Sequence, residues 1–289
     1  MIILPLKPHF IDVDGVHLHL DAILNGTPVN FLLDTGASRT AVSDKIASIL
    51  GSGFQNPIPH IESFGFGDNF DSFVADISDF EFYGKAIQNY QMAIFDFAPL
   101  NEMMGRMGFP EIDGMLGGDL LKAAGAKLDY RNESLIIGNF KIPIDLIIPD
   151  GVGVELLTDI EINGHTLTVF IDTGASKSVF GIETAKRVFD LSEDNLHDNE
   201  KAAIGIDHLG IGNELIMLDE LQIGDISLLK TGAITFDFQN VNQTYALFNI
   251  PVIDGILGGD ILNKLGAVVD YEKLELRLFD ENLLIDEKD

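Results

Sequence analysis

The pentapeptide Asp-Thr-Gly-Ala-Ser occurs twice in this 289-residue chain, at Asp34 to Ser38 and at Asp172 to Ser176. The chemistry on offer is that of paired carboxylates. Two carboxylates about 3 Å apart cannot both ionise easily, so one pKa is pushed up and the pair shares one proton. One member then serves as base and the other as acid. Such a pair activates a water against an amide carbonyl: the ionised carboxylate takes the water's proton, and the protonated one hydrogen-bonds the carbonyl oxygen. Neither a covalent intermediate nor a metal is needed.

Each aspartate must be delivered by the elements around it. Apolar runs precede both, Phe31-Leu32-Leu33 and Val169-Phe170-Ile171, and Gly36 and Gly174 permit a tight turn directly after. Upstream, period-two runs at His17 to Leu24 and Val154 to Ile162 end in Asn25-Gly26 and Asn163-Gly164, so each half opens with a hairpin that carries its aspartate. The repetition continues: Asp113-Gly114-Met115-Leu116-Gly117-Gly118-Asp119 returns as Asp254-Gly255-Ile256-Leu257-Gly258-Gly259-Asp260, and Phe95-Asp96-Phe97 as Phe236-Asp237-Phe238. The offset is 138 residues at the aspartates and 141 at the second motif, so whole halves are related. Two lobes are expected, 1–145 and 146–289, joined near Lys141 to Gly151 by an apolar, packed crossover. The class is mainly β with a few short helices, among them Ser43 to Leu50 and Ile182 to Leu191. Asp119 and Asp260 read as helix caps, and Asp129 and Asp270 as strand-end or turn residues.

Composition narrows the classes. The formal charge of −28 divides into −10 for residues 1–145 (9 basic, 19 acidic) and −18 for the rest, which disfavours nucleic acid and anionic membrane as partners. That charge serves solubility, or a field favouring neutral or basic peptides. The chain has no cysteine, hence no disulfide framework and no zinc-thiolate site. No apolar stretch approaches the roughly 20 residues of a membrane helix, and the first residues carry no signal-peptide pattern. A cytoplasmic location is the expectation, or a secreted or periplasmic one if the sequence is a trimmed piece. The seven histidines show no ligand spacing, so neither metal nor cofactor is expected.

With both motifs in hand, the chain resembles the aspartic proteases, specifically the retropepsin-like branch, in which Asp-Thr-Gly-Ala follows an apolar strand and an apolar-apolar-Gly segment completes the catalytic loop. Those segments here are Met115-Leu116-Gly117 and Ile256-Leu257-Gly258. The resemblance spans roughly Leu18 to Leu278 and implies a bilobal, pseudo-twofold fold. It implies Asp34 and Asp172 as catalytic dyad, Thr35 and Thr173 as hydroxyls that hydrogen-bond across the lobes, and Gly36 and Gly174 as points of close backbone approach. Flaps over bound peptide would fall at Phe64-Gly65-Phe66 and near Ile206 and His208. Pepsin-like enzymes carry a serine after Asp-Thr-Gly where this chain has Ala37 and Ala175. Without that donor the carboxylates are less acidic, and a moderately acid to near-neutral optimum is expected. Ser38, Ser176, Gly118 and Gly259 replace the aspartate and arginine that lock retropepsin dimers, a lock that a fused, monomeric chain needs less.

The reading that follows is an aspartic endopeptidase acting on peptide or protein substrates. The alternative is a non-catalytic peptide-binding or scaffold protein of the same fold, although two matched carboxylates serve no evident purpose there. Glycoside hydrolysis ranks lower, since it needs carboxyls about 5 Å or more apart and no paired Asp-Thr-Gly loops.

Overall fold

Asn25 and Gly26 both take positive φ, 46° and 76°, as do Asn163 and Gly164 at 47° and 75°. This is the two-residue turn whose twist matches that of the flanking strands, and few other dipeptides adopt it cheaply. It folds strand Val16–Leu24 onto Thr27–Leu33, and Leu157–Ile162 onto His165–Ile171. Each Asn side chain then reaches beyond its hairpin: Asn25 Oδ1 accepts from the Glu81 N–H at 2.7 Å and Asn163 Oδ1 from that of Gln222 at 2.8 Å.

These features come from a computed structural model, which describes residues 2–11, 14–50, 58–59, 73–83, 85–138, 156–189, 197–198, 214–247 and 251–279. The flap candidates Phe64, Gly65, Phe66, Ile206 and His208, and the join from Lys141 to Gly151, lie outside the described residues.

Among the described residues two sheets follow the repeat, one of eight strands in the first half and one of seven in the second. In the first, Gly114–Leu116 pairs parallel to Thr27–Leu33, which leads into Asp34, and antiparallel to Ala41–Ser43, which leads out. Gly255–Leu257 repeats this between His165–Ile171 and Val179–Gly181. The apolar-apolar-Gly segment is therefore a wedge that fixes both ends of each aspartate loop. Asp113 locks the wedge, accepting from the Asn30 N–H at 2.9 Å, and Asp254 does the same from Thr168 at 3.0 Å.

A third sheet joins the halves. Its five strands run Ile2–Pro5, Ser134–Ile137, Lys127–Asp129, Val268–Asp270 and Glu275–Arg277, and the central pair is antiparallel across the lobe boundary. The Tyr130 N–H donates to Ala267 O at 2.9 Å and the Tyr271 N–H to Ala126 O at 2.8 Å, so the junction is itself twofold. The main apolar core runs without a break from Leu4 through Leu33 and Ile171 to Tyr271. The architecture is two-lobed and mainly β, as expected from the repeat.

Alternation along the aspartate strand splits the apolar side chains. Leu33 enters the main core, while Leu32 faces a satellite cluster with Phe97, Leu100 and Met104. The latter three belong to or flank helix Ala98–Arg106, whose counterpart is Gln239–Leu247. Neither helix is foreseen by the apolar pattern, because each is held by polar groups. Asn101 clamps the Ile112 backbone with two bonds of 2.9 and 3.0 Å, and Asn242 clamps Ile253 at 2.9 and 3.1 Å. The helices that are foreseen appear as Asp44–Ile49, with Ser43 as N-cap, and Ile182–Phe189.

The cap reading of Asp119 and Asp260 is corrected. Each sits inside a short helix, Gly118–Ala123 or Gly259–Lys264, whose N-cap is a glycine. Asp119 is fully buried and accepts from Thr40 N and Thr40 Oγ1 at 2.9 and 2.8 Å, from Tyr90 OH at 2.7 Å and from Leu120 N at 2.6 Å. Asp260 takes the equivalent bonds from Ser178 N and Oγ, 2.9 and 2.6 Å. Their role is to tie the outgoing end of each aspartate loop to the helix behind it. Asp129 and Asp270 accept from turn N–H groups two or three residues on, as expected of strand-end residues.

Tyr90→Phe should lower the unfolding free energy by about 1–3 kcal/mol, because it strips a donor from a buried carboxylate. Denaturant titration reads this, and an unchanged midpoint would contradict the buried bond.

Candidate active site

Thr35 and Thr173 build the meeting point of the two loops. The Thr35 N–H donates to Thr173 Oγ1 at 3.1 Å and the Thr173 N–H to Thr35 Oγ1 at 3.0 Å. Each hydroxyl then donates to the opposite strand, Thr35 Oγ1 to Ile171 O at 2.6 Å and Thr173 Oγ1 to Leu33 O at 2.8 Å. Both threonines are fully buried, so four bonds shielded from water fix one loop against the other.

The aspartates are brought together by this grip. Asp34 is buried, Asp172 is partly accessible, and the two carboxyls hydrogen-bond to each other. Gly36 and Gly174 permit the approach: a Cβ on Gly36 would lie 2.5 Å from the Asp172 carboxyl carbon, and one on Gly174 would overlap the Asp34 carboxyl. Each carboxylate is also held within its own loop. Asp34 Oδ1 accepts from the Gly36 and Ala37 N–H groups at 3.0 and 2.9 Å, and Asp172 Oδ1 from those of Gly174 and Ala175 at 2.8 and 3.1 Å.

Both pKa values lie above the ordinary carboxylate value, for unequal reasons. Burial comes first for Asp34, the negative charge of Asp172 adds to it, and the Ala37 and Gly36 N–H groups oppose it, leaving the carboxyl well above its usual range. Burial also raises Asp172, but the bond from Asp34 and the N–H groups of Gly174, Ala175 and Gly36 offset it. The two carboxyls therefore titrate as one coupled pair that holds a proton between them.

Of the residues singled out from the sequence, Asp34, Thr35, Gly36, Asp172, Thr173 and Gly174 converge here. Thr40 and Ser178, which brace the loops through Asp119 and Asp260, escape the sequence reading. Their signal is the same 138-residue offset with a hydroxyl in both halves. Among the described residues no three His, Asp or Glu side chains group to hold a metal ion, and no helix is long and apolar enough to cross a membrane.

A family model for the aspartyl protease family matches the chain twice, over residues 20–120 and 158–261. No curated protein matches. Similar solved structures include the retroviral protease-like domain of Ddi1 from Leishmania major, 17% identical, with a TM-score of 0.29 over 43% of this chain and 87% of that one. The protease of EIAV, solved with the inhibitor HBY-793, is 24% identical, with a TM-score of 0.27 over 37% of this chain and 86% of that one. A retropepsin-like aspartic protease from Rickettsia conorii is 22% identical, with a TM-score of 0.29 over 47% of this chain and 87% of that one. Because the family pattern is met once in each half, on the two loops that the threonine grip joins, this chain belongs to the aspartyl protease family, with both halves in one polypeptide.

Proposed function

We propose that the protein is an aspartic endopeptidase that hydrolyses peptide bonds with a water activated between Asp34 and Asp172. The observation that carries this is the pairing of the two carboxyls across the threonine grip, where both pKa values are raised. The ionised carboxyl of the pair takes a proton from the attacking water. The protonated one donates to the scissile carbonyl oxygen as charge develops there. When the tetrahedral intermediate collapses, the leaving amine takes a proton, the C–N bond breaks, and the pair regains its single shared proton.

One chain supplies both loops, so we read the active form as a monomer divided at residues 145 and 146, acting on an extended peptide or protein in the cytoplasm. Light scattering on a sizing column tests the monomer.

The pH dependence follows from the two shifts. Activity requires one proton on the pair. It falls on the acid side when the pair takes up a second proton and on the basic side when it releases its last, giving a bell. Since both carboxyls titrate above the usual value of 3.8, the optimum is expected at moderately acid to near-neutral pH. Cleavage of a diverse peptide library from pH 3 to 8, with product termini read by mass spectrometry, tests both activity and bell. Extended peptides that bind without being cut across that range would instead favour a peptide-binding role, and an optimum near pH 2 would contradict the shifts.

A further inference from the structure

Asp119 and Asp260 brace the two aspartate loops from behind, and one oxygen of each does so in the same way. Asp119 Oδ1 accepts from Thr40 N, Thr40 Oγ1 and Leu120 N, and Asp260 Oδ1 from Ser178 N, Ser178 Oγ and Ile261 N. The second oxygen breaks the symmetry. Asp119 Oδ2 accepts from Tyr90 OH at 2.7 Å, whereas Asp260 Oδ2 is buried and has no hydrogen-bond partner among the described residues.

The residue in the second half that corresponds to Tyr90 is Thr231. It stands 141 residues on, as Asp260 does from Asp119. The strand ladders keep one register: Tyr90 pairs with Ile77 and Gln88 with Asp79, as Thr231 pairs with Leu218 and Leu229 with Glu220. Thr231 Oγ1 is also buried without a partner among the described residues, and Thr231 and Asp260 are each 1% exposed. A threonine hydroxyl lies one bond from Cβ, and a tyrosine hydroxyl lies beyond a whole ring. The two unpartnered atoms therefore stand at the two ends of the path that the Tyr90 phenol spans in the first half. Less side chain is placed there as well, since Ala233 corresponds to Met92 two residues on. The second half gains a ring in Phe180, which corresponds to Val42, but that ring goes elsewhere. A Cβ on Gly255 would lie 3.0 Å from the Phe180 ring, as one on Gly114 would lie 2.7 Å from that of Phe31. Phe180 thus takes the place of Phe31, whose own counterpart is Val169.

We infer that bound water takes this place, one molecule or two in series running from Asp260 Oδ2 to Thr231 Oγ1 and completing on the Asp172 loop the brace that Tyr90 completes on the Asp34 loop. A buried carboxylate oxygen is costly to leave without a donor, and water supplies two. Apolar cavities stay dry, but a site walled by a carboxylate and a hydroxyl offers the polar partners that hold a water in a protein interior. The inference does not rest on the peptidase reading. Its consequence is that the two loops are held by different means: a phenol is part of the chain, and a water exchanges with solvent.

A crystal structure of the wild-type chain, at a resolution that shows ordered water, is the first test. Density should lie within hydrogen-bond reach of Asp260 Oδ2 and be linked to Thr231 Oγ1 directly or through one further molecule. No density there, or a protein group bonded directly to Asp260 Oδ2, would overturn the inference. So would anomalous scattering from that position in crystals soaked in rubidium chloride, which would make the ligand a cation. Two variants then test the partners. Thr231→Val keeps the shape of the side chain but removes its hydroxyl, and should lower both the occupancy of the water and the melting temperature, the latter by about 2–4 °C. Thr231→Val with water and melting temperature unchanged would overturn the role given to Thr231. Thr231→Tyr should expel the water and bond its own hydroxyl to Asp260 Oδ2, as Tyr90 bonds Asp119. A folded Thr231→Tyr that keeps the water, with its ring turned away, would overturn the equivalence on which the site is built. Should Thr231→Tyr fail to fold, the wild-type map and Thr231→Val decide.

Discussion

Asp34→Asn and Asp172→Asn should each lower kcat by about 10³-fold or more while leaving binding of an uncleaved extended peptide within a few-fold of wild type. Asparagine preserves the shape of the carboxyl, and the N–H donors from Gly36 and Ala37, or from Gly174 and Ala175, still find an oxygen. What disappears is the proton that the pair shares. Either substitution leaves one titratable carboxyl where the reaction needs both an acid and a base. Steady-state kinetics on the best library peptide measure the loss. Retention of a tenth of the rate by either variant would remove that carboxyl from the chemistry.

The same substitution should raise stability near neutral pH. For a carboxyl whose folded pKa is raised, the folded protein holds a proton that the unfolded chain releases. Its stabilising contribution is thus full below the unfolded pKa, about 3.9, and is lost as pH rises through the folded value. Above that value the wild type must keep two charges buried together, whereas Asp34→Asn keeps one. The difference in melting temperature between the two should therefore grow from pH 4 to pH 8 in favour of the variant, and a constant difference would mean that the dyad titrates as ordinary carboxyls do.

Gly36→Ala is expected to have the second-largest effect. The added Cβ would lie 2.5 Å from the Asp172 carboxyl carbon, a distance that real contacts do not reach. Relief requires the loops to part, but the Thr35 and Thr173 bonds that would have to stretch are the ones that join the lobes. Overpacking of this kind costs about 1–3 kcal/mol in stability, and displacing a reacting group by about 1 Å can cost 10²-fold in rate. Gly174→Ala should behave alike, since its Cβ would meet Asp34. Melting curves and kcat together check this: a variant with wild-type values in both would mean that the carboxyls do not approach as closely as the structure places them.

The dyad was legible in the sequence because its geometry is encoded locally and written twice. An apolar strand, an aspartate, a hydroxyl and a glycine need no distant partner to be recognised, and the Asn-Gly turns fix the strand register that presents them. Asp119 was misread because a carboxylate at the start of a short helix has the local pattern of a cap. Its real partners, Thr40 and Tyr90, lie 79 and 29 residues away and are brought to it by the sheet. The helices at Ala98 and Gln239 show the remaining limit: side-chain amides of Asn101 and Asn242 hold them to the chain, and such bonds leave no hydrophobic period behind.

A single turnover of a cleavable peptide in water enriched in oxygen-18, followed by mass spectrometry of product and intact protein, tests the direct attack of a dyad-bound water most squarely. The expected result is one solvent oxygen in the new carboxylate during the first turnover, with no mass added to the protein at any time. A covalent adduct on the protein, or an unlabelled first product, would contradict it.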